Sequence, residues 1–149
     1  MSSPIFVDAN IPIYAAGAPH PLKAPCIEIL RLIGSQPEAF ITDAEVLEEL
    51  LHRYLRARLW PDPGSLVLHS FDLLMRGRIE TIRAEDVMDA AGFATGLPDI
   101  PARDLLHFAV MTRLGASRVV TADKDFAKLL SVTRLDPADL STWRSQVGR

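Results

Sequence analysis

The sequence has little of what marks a secreted, membrane-embedded or charge-driven protein. Its 149 residues include one cysteine, Cys26. An internal disulfide is therefore excluded, no second thiol is present for a zinc knuckle, and a reducing cytoplasm is the expected compartment. No run approaches the roughly eighteen apolar residues that span a bilayer. The start, Met1 Ser2 Ser3 Pro4, enters a strand-like run at once, without the basic opening and apolar stretch of a secretory signal. Positive charge is not in excess either: 16 Lys and Arg stand against 19 Asp and Glu, a net charge of −3. Binding of nucleic acid through bulk positive charge is thereby excluded. Repeats, low-complexity tracts and charged tails are also lacking.

What is present is an ordinary globular composition, 48% hydrophobic and 23% charged, at a length that predicts one domain over residues 1–149. The 11 prolines and 8 glycines punctuate the chain, and the cluster of prolines from Pro4 to Pro37 predicts a loop-rich first quarter. Short apolar, β-branched runs at Ile5–Val7, Ala39–Thr42, Ile79–Ile82 and Ser117–Thr121 read as strands, with a fifth candidate at Val132–Leu135. Helical patterns lie between them: Pro21–Gly34, Asp43–Arg58, Pro63–Arg76, Ala84–Gly96, Pro101–Leu114 and Asp123–Leu130. Such alternation predicts an α/β fold, a mostly parallel sheet of four to five strands covered on both faces.

Ligands of such sheets bind beyond the carboxyl ends of the strands, so acids placed there are the first candidates for chemistry. Asp8 follows Ile5–Val7 directly, and Asp123 follows Arg118–Thr121 after one residue. Either could equally cap the helix behind it. Asp104 opens an apolar helix, where it suits the helix dipole but places a charge close to a core and in need of a partner. In the pattern Asp43–Arg58, Val46, Leu47, Leu50, Leu51 and Tyr54 form the apolar stripe and Glu49 borders it. Glu49 could pair on the surface with Arg53, and Glu45 and Glu48 compete for its place. Two carboxylates at ~4 Å repel by ~4 kcal/mol at an effective dielectric of ~20, so several at one edge predict raised pKa values or a divalent cation. Oxygen donors without cysteine or paired histidines select magnesium or manganese.

Basic residues for a local role cluster at Arg53, Arg56 and Arg58, with Arg76 and Arg78 later and Lys23 earlier; helix-dipole complementation accounts for them equally well. Lys124 could touch a phosphate. His107, one turn after Asp104, could reach the site but reads first as a buried, hydrogen-bonded histidine, and Trp60 and Trp143 read as packing residues. Leu66, Leu68, Phe71, Leu73, Leu74 and Met75 exceed one core stripe and predict an apolar interface, for a homodimer or a partner helix.

Taken together, Asp8 Ala9 Asn10, Thr42 with Glu49 seven residues on, Asp104 Leu105 Leu106 His107, and Thr121 Ala122 Asp123 Lys124 Asp125 Phe126 resemble the PIN-domain ribonucleases. Within them they resemble the toxin half of bacterial VapBC toxin–antitoxin pairs, from about Ile5 to Leu135. The resemblance implies a three-layer α/β/α fold, cleavage of single-stranded RNA, and a small antitoxin partner. It implies that Asp8, Glu49, Asp104 and Asp123 hold magnesium or manganese, with Asn10 and Thr121 in support and Asp125 as accessory ligand or helix residue. Arg53, Arg56, Arg58 and Lys124 are the candidate RNA contacts. Two rivals remain: a magnesium-dependent phosphatase, which would need an acid where Asn10 stands, and a silent PIN-like module that only binds RNA or protein.

Overall fold

The computed structural model describes residues 3–149; Met1 and Ser2 lie outside it. Five strands form one parallel sheet: β1 (Ile5–Val7), β2 (Phe40–Asp43), β3 (Ile79–Glu80), β4 (Arg118–Val120) and β5 (Thr133–Leu135), in the order β3-β2-β1-β4-β5. The helices are α1 (Asn10–Ala16), α2 (Lys23–Ser35), α3 (Ala44–Arg56), α4 (Gly64–Leu74), α5 (Ala84–Ala94), α6 (Ala102–Leu114) and α7 (Leu140–Trp143). The chain steps from β1 to β2 to β3 in one direction, then returns over the sheet to β4. Right-handed crossovers made in opposite directions put their helices on opposite faces. Accordingly α1 packs on α2 and α4, α3 on α4, and α5 on α6, which gives the three layers.

Burial explains the short strands. Ile5, Phe6, Val7, Val119 and Val120 have no exposed surface, as expected for strands covered on both sides. Val46, Leu50 and Tyr54 are the buried stripe of α3. Gly64 permits the close approach of α4: a Cβ there would stand 2.5 Å from Cβ of Tyr54. The helix α6 ends at Gly115 in the left-handed conformation, φ 70°, which glycine adopts without strain. Cys26 lies in the core, where burial pushes its thiol up to about 12 and leaves it unreactive. No helix among the described residues is long and apolar enough to cross a membrane.

Three expectations are corrected here. The pattern Asp123–Leu130 forms only a 3-10 turn, Lys124–Lys128, because buried Phe126 pins it and Leu129 is already extended. Of the proposed interface residues, Phe71 and Met75 belong to the core, whereas Leu66 and Leu73 are 70% and 63% exposed. The α3 helix stops at Arg56, and Arg58 beyond it turns into the left-handed region, φ 59°.

Candidate active site

Sheet register brings the first carboxylate to its neighbours. Val7 pairs with Val120, so Asp8 and Thr121 leave the sheet side by side, and the Asp8 N–H continues the ladder to the Val120 carbonyl at 3.2 Å. Thr121 Oγ1 donates to Asp8 Oδ2 at 2.7 Å. Asn10 Nδ2 donates to the same oxygen (3.2 Å) and to Thr121 Oγ1 (2.9 Å), while its Oδ1 accepts from the Ala122 N–H at 3.1 Å. Asp8 Oδ1 accepts from the Ala9 N–H at 2.8 Å, and α1 starts without a side-chain cap. The carboxylate of Asp8 is therefore oriented by three donors rather than used to cap α1.

The β2–α3 junction contributes the next groups. Asp43, fully buried, caps α3 by accepting from the Val46 N–H at 3.0 Å. Its other oxygen lies 2.8 Å from His107 Nδ1 on α6. Two turns further along α3, Glu49 reaches the neighbourhood of Asp8. A carboxylate oxygen of each, together with a ring nitrogen of His107, lies within 4.8 Å of the others. Glu45 and Glu48 stay outside that group. All three glutamates meet Arg103, at 3.0 Å for Glu45 and 3.3 Å for Glu48 and Glu49, so the expected Glu49–Arg53 pair gives way to a clamp from α6.

A second group forms where α6 meets the β4 loop: Asp104, Asp123 and Asp125 also have carboxylate oxygens within 4.8 Å of one another. Asp123 does cap its turn, accepting from the Asp125 N–H at 2.9 Å, and Asp125 pairs with Lys128 at 3.0 Å. Sequence reasoning missed Arg134, which holds this loop by donating to the carbonyls of Ala122 and Asp123, each at 3.1 Å. Its only signal was an arginine within the fifth apolar run, beside Asp136.

Electrostatics joins the two groups. Burial, then a hydrogen bond with Asp123 and the charge of Asp8, pushes Asp104 up to about 8. Burial and then Asp8 raise Glu49. Burial opposes a charged His107, but Asp43, Asp8 and Glu49 outweigh it and bring the ring to about 9. Burial of the carboxylates and the crowding of negative charge thus favour the protonated forms. A divalent cation suits this donor set, because it would replace those protons among oxygen ligands. One further buried polar atom, His107 Nε2, has no hydrogen-bond partner.

The PIN-domain family model matches residues 5–130 of this chain. The chain belongs to the PIN-domain family. Its relatives include ribonuclease VapC13 of Mycobacterium tuberculosis, 34% identical over 133 residues that cover 88% of this chain and 98% of that protein. Ribonuclease VapC23 of the same species is 36% identical over 125 residues, covering 83% and 95%. In fold the PIN domain resembles M. tuberculosis VapC20, a sarcin-ricin loop cleaving toxin, with a TM-score of 0.67, 22% identity and coverage of 83% and 93%. It also resembles Rickettsia felis VapBC2 bound to a promoter DNA fragment, with a TM-score of 0.60, 17% identity and coverage of 89% and 97%.

Beside the carboxylates of this PIN domain lies a cavity of about 460 Å³ lined by Glu49, His52, Arg53, Arg56, Ala57 and Arg103. Arg53, Arg56, Arg58 and Lys124 are exposed. The other basic candidates are engaged elsewhere. Arg78 donates to the carbonyls of Pro37 (2.6 Å), Leu74 (2.5 Å) and Phe40 (3.3 Å), so it clasps α4 to the sheet. Lys23 Nζ donates to the Gly17 carbonyl at 2.5 Å, and Arg76 faces Asp72 at 3.7 Å.

Proposed function

We propose that this chain, as a single PIN-like domain, is a divalent-metal-dependent endoribonuclease that cuts single-stranded RNA and serves as the toxin of a bacterial toxin–antitoxin pair. The observation that supports the reading is a pair of acidic groups, Asp8 and Glu49 with His107 and Asp104 with Asp123 and Asp125, linked by the charge of Asp8 on Asp104, in a relative of VapC ribonucleases. Asp8, Glu49, Asp104 and Asp123 would hold magnesium or manganese, with Asp125 as accessory ligand, and a bound cation would supply activation of water and compensation of the charge that develops on the phosphodiester.

The chain's own residues do the rest. Asn10 and Thr121 orient Asp8 through the bonds described above, and Arg103 limits where Glu49 can swing. Arg53, Arg56 and Arg58, with Lys124 next to Asp123 in sequence, hold flanking phosphates by local charge in place of a basic face. An antitoxin and a second copy of the chain are the proposed protein partners, with exposed Leu66 and Leu73 on α4 as apolar surface to be covered.

The test is RNA cleavage by purified protein together with metal titration by calorimetry. Activity that disappears with chelator, returns with manganese and is absent in Asp8→Asn supports the reading. Activity indifferent to both changes refutes metal dependence, and a protein that binds neither ion is the silent module instead.

A further inference from the structure

Among the described residues, His107 Nε2 is the buried side-chain polar atom without a hydrogen-bond partner. The ring has no exposed surface, so water does not satisfy this nitrogen at the protein surface, and a buried polar atom without a partner is unfavourable. The other nitrogen, Nδ1, is held by Asp43 at 2.8 Å. Asp43 is itself immobilised as the N-cap of α3, and the ring rests against Phe6, with centroids 5.2 Å apart. Ring orientation is thus set from two sides, and Nε2 is the nitrogen left free on a ring that has a nitrogen within 4.8 Å of carboxylate oxygens of Asp8 and Glu49. Carboxylate to Nδ1–H, with Nε2 left open, is the arrangement that prepares a histidine to ligate a cation.

We propose that His107 Nε2 is a nitrogen ligand of a cation shared with Asp8 and Glu49, positioned by Asp43, and that this site therefore prefers manganese to magnesium. The inference rests on the metal-dependent reading above and deepens it. A ring nitrogen of His107 and one carboxylate oxygen each of Asp8 and Glu49 lie within 4.8 Å of one another, so each would have to move by under about 1 Å to share an ion at ~2.1 Å. Magnesium holds to oxygen donors and water, whereas imidazole suits first-row transition ions. A nitrogen in this half of the site and only carboxylates in the Asp104 half would make the two positions chemically unequal.

The experiment is electron spin-echo envelope modulation of manganese bound at saturation to the intact protein, with affinities for manganese and magnesium measured alongside. Modulation from a nitrogen that changes on ¹⁵N-histidine labelling, vanishes in His107→Gln and persists in His52→Ala is the expected result. Asp43→Asn keeps a capping oxygen for the Val46 N–H but loosens the ring, and is expected to weaken manganese about 10–100-fold. It also provides a folded variant should His107→Gln unfold. Manganese bound without histidine modulation, or with modulation retained in His107→Gln, overturns the nitrogen ligand while leaving the carboxylate site standing. Absence of any bound manganese or magnesium overturns the metal-dependent reading and this one together.

Discussion

Replacing Asp104 with asparagine should make the metal-free protein more stable, and the gain should grow with pH. Asp104 titrates at about 8 in the fold against 3.8 for the free group. The folded state therefore binds more protons than the unfolded state between those values, and stability falls as pH rises. The penalty is absent below 3.8 and complete above about 8. At ~1.36 kcal/mol per unit the full difference is about 5–6 kcal/mol. Part of that difference depends on the hydrogen bond with Asp123 and the charge of Asp8, so about half, or ~2–3 kcal/mol, is assigned to this one substitution. Asparagine keeps the shape and can donate the hydrogen bond that protonated Asp104 gives to Asp123. For a chain of this size the gain is roughly 5–10 °C in Tm near pH 8, and under about a third of that near pH 5. Scanning calorimetry of chelated wild type and Asp104→Asn at both pH values is the assay. Magnesium or manganese should then raise the Tm of the wild type more than that of the variant. A variant no more stable than wild type near pH 8, or an equal gap at both pH values, would refute the electrostatic reasoning.

Other outcomes follow from neighbouring contacts. Arg113 on α6 donates to both oxygens of Asp86, at 2.9 and 3.0 Å, and Asp86 is 1% exposed on α5. Arg113→Met strands that charge and is expected to destabilise by about 3–5 kcal/mol in urea unfolding, while the Asp86→Asn and Arg113→Met pair together should recover part of the loss. Leu50→Ala, at a fully buried position of α3, should lower stability by about 2–5 kcal/mol and displace Glu49 through its helix; an equilibrium unfolding midpoint unchanged from wild type would count against the packing described. Arg53→Ala with Arg56→Ala should weaken RNA binding and flatten its salt dependence by about one to two phosphate contacts, with Tm within a few degrees of wild type because both side chains are exposed.

Local features of the chain were readable without any fold. Apolar runs followed by Asp8 and by Thr121 Ala122 Asp123 announce strands that end in acids, since strand period and helix period are written in neighbouring residues. The stripe Val46, Leu50, Tyr54 located α3 and put Glu49 at its border. Periodicity overreached at Asp123–Leu130, where an apolar spacing suited to a helix was realised as a 3-10 turn because Phe126 had to reach the core. Arg78 likewise looked like a free cation and is a clasp on three carbonyls, since nothing local reveals which carbonyls a folded chain leaves open.

The sequence by itself determined the α/β alternation, the parallel sheet that alternation requires, and the acids poised at strand ends and helix starts. Tertiary structure alone decided the company those acids keep. Arg103 meets Glu45 across 58 residues, His107 meets Asp43 across 64, and Thr121 meets Asp8 across 113. Such partners are chosen by strand order and register, with β1 set between β2 and β4, and neither is encoded in the spacing of any one segment. Burial has the same origin: Asp104 acquires its raised pKa when α6 closes over the sheet and removes water from its carboxylate, and His107 acquires its own from Asp43, Asp8 and Glu49, which the fold gathers around the ring against the opposing effect of burial.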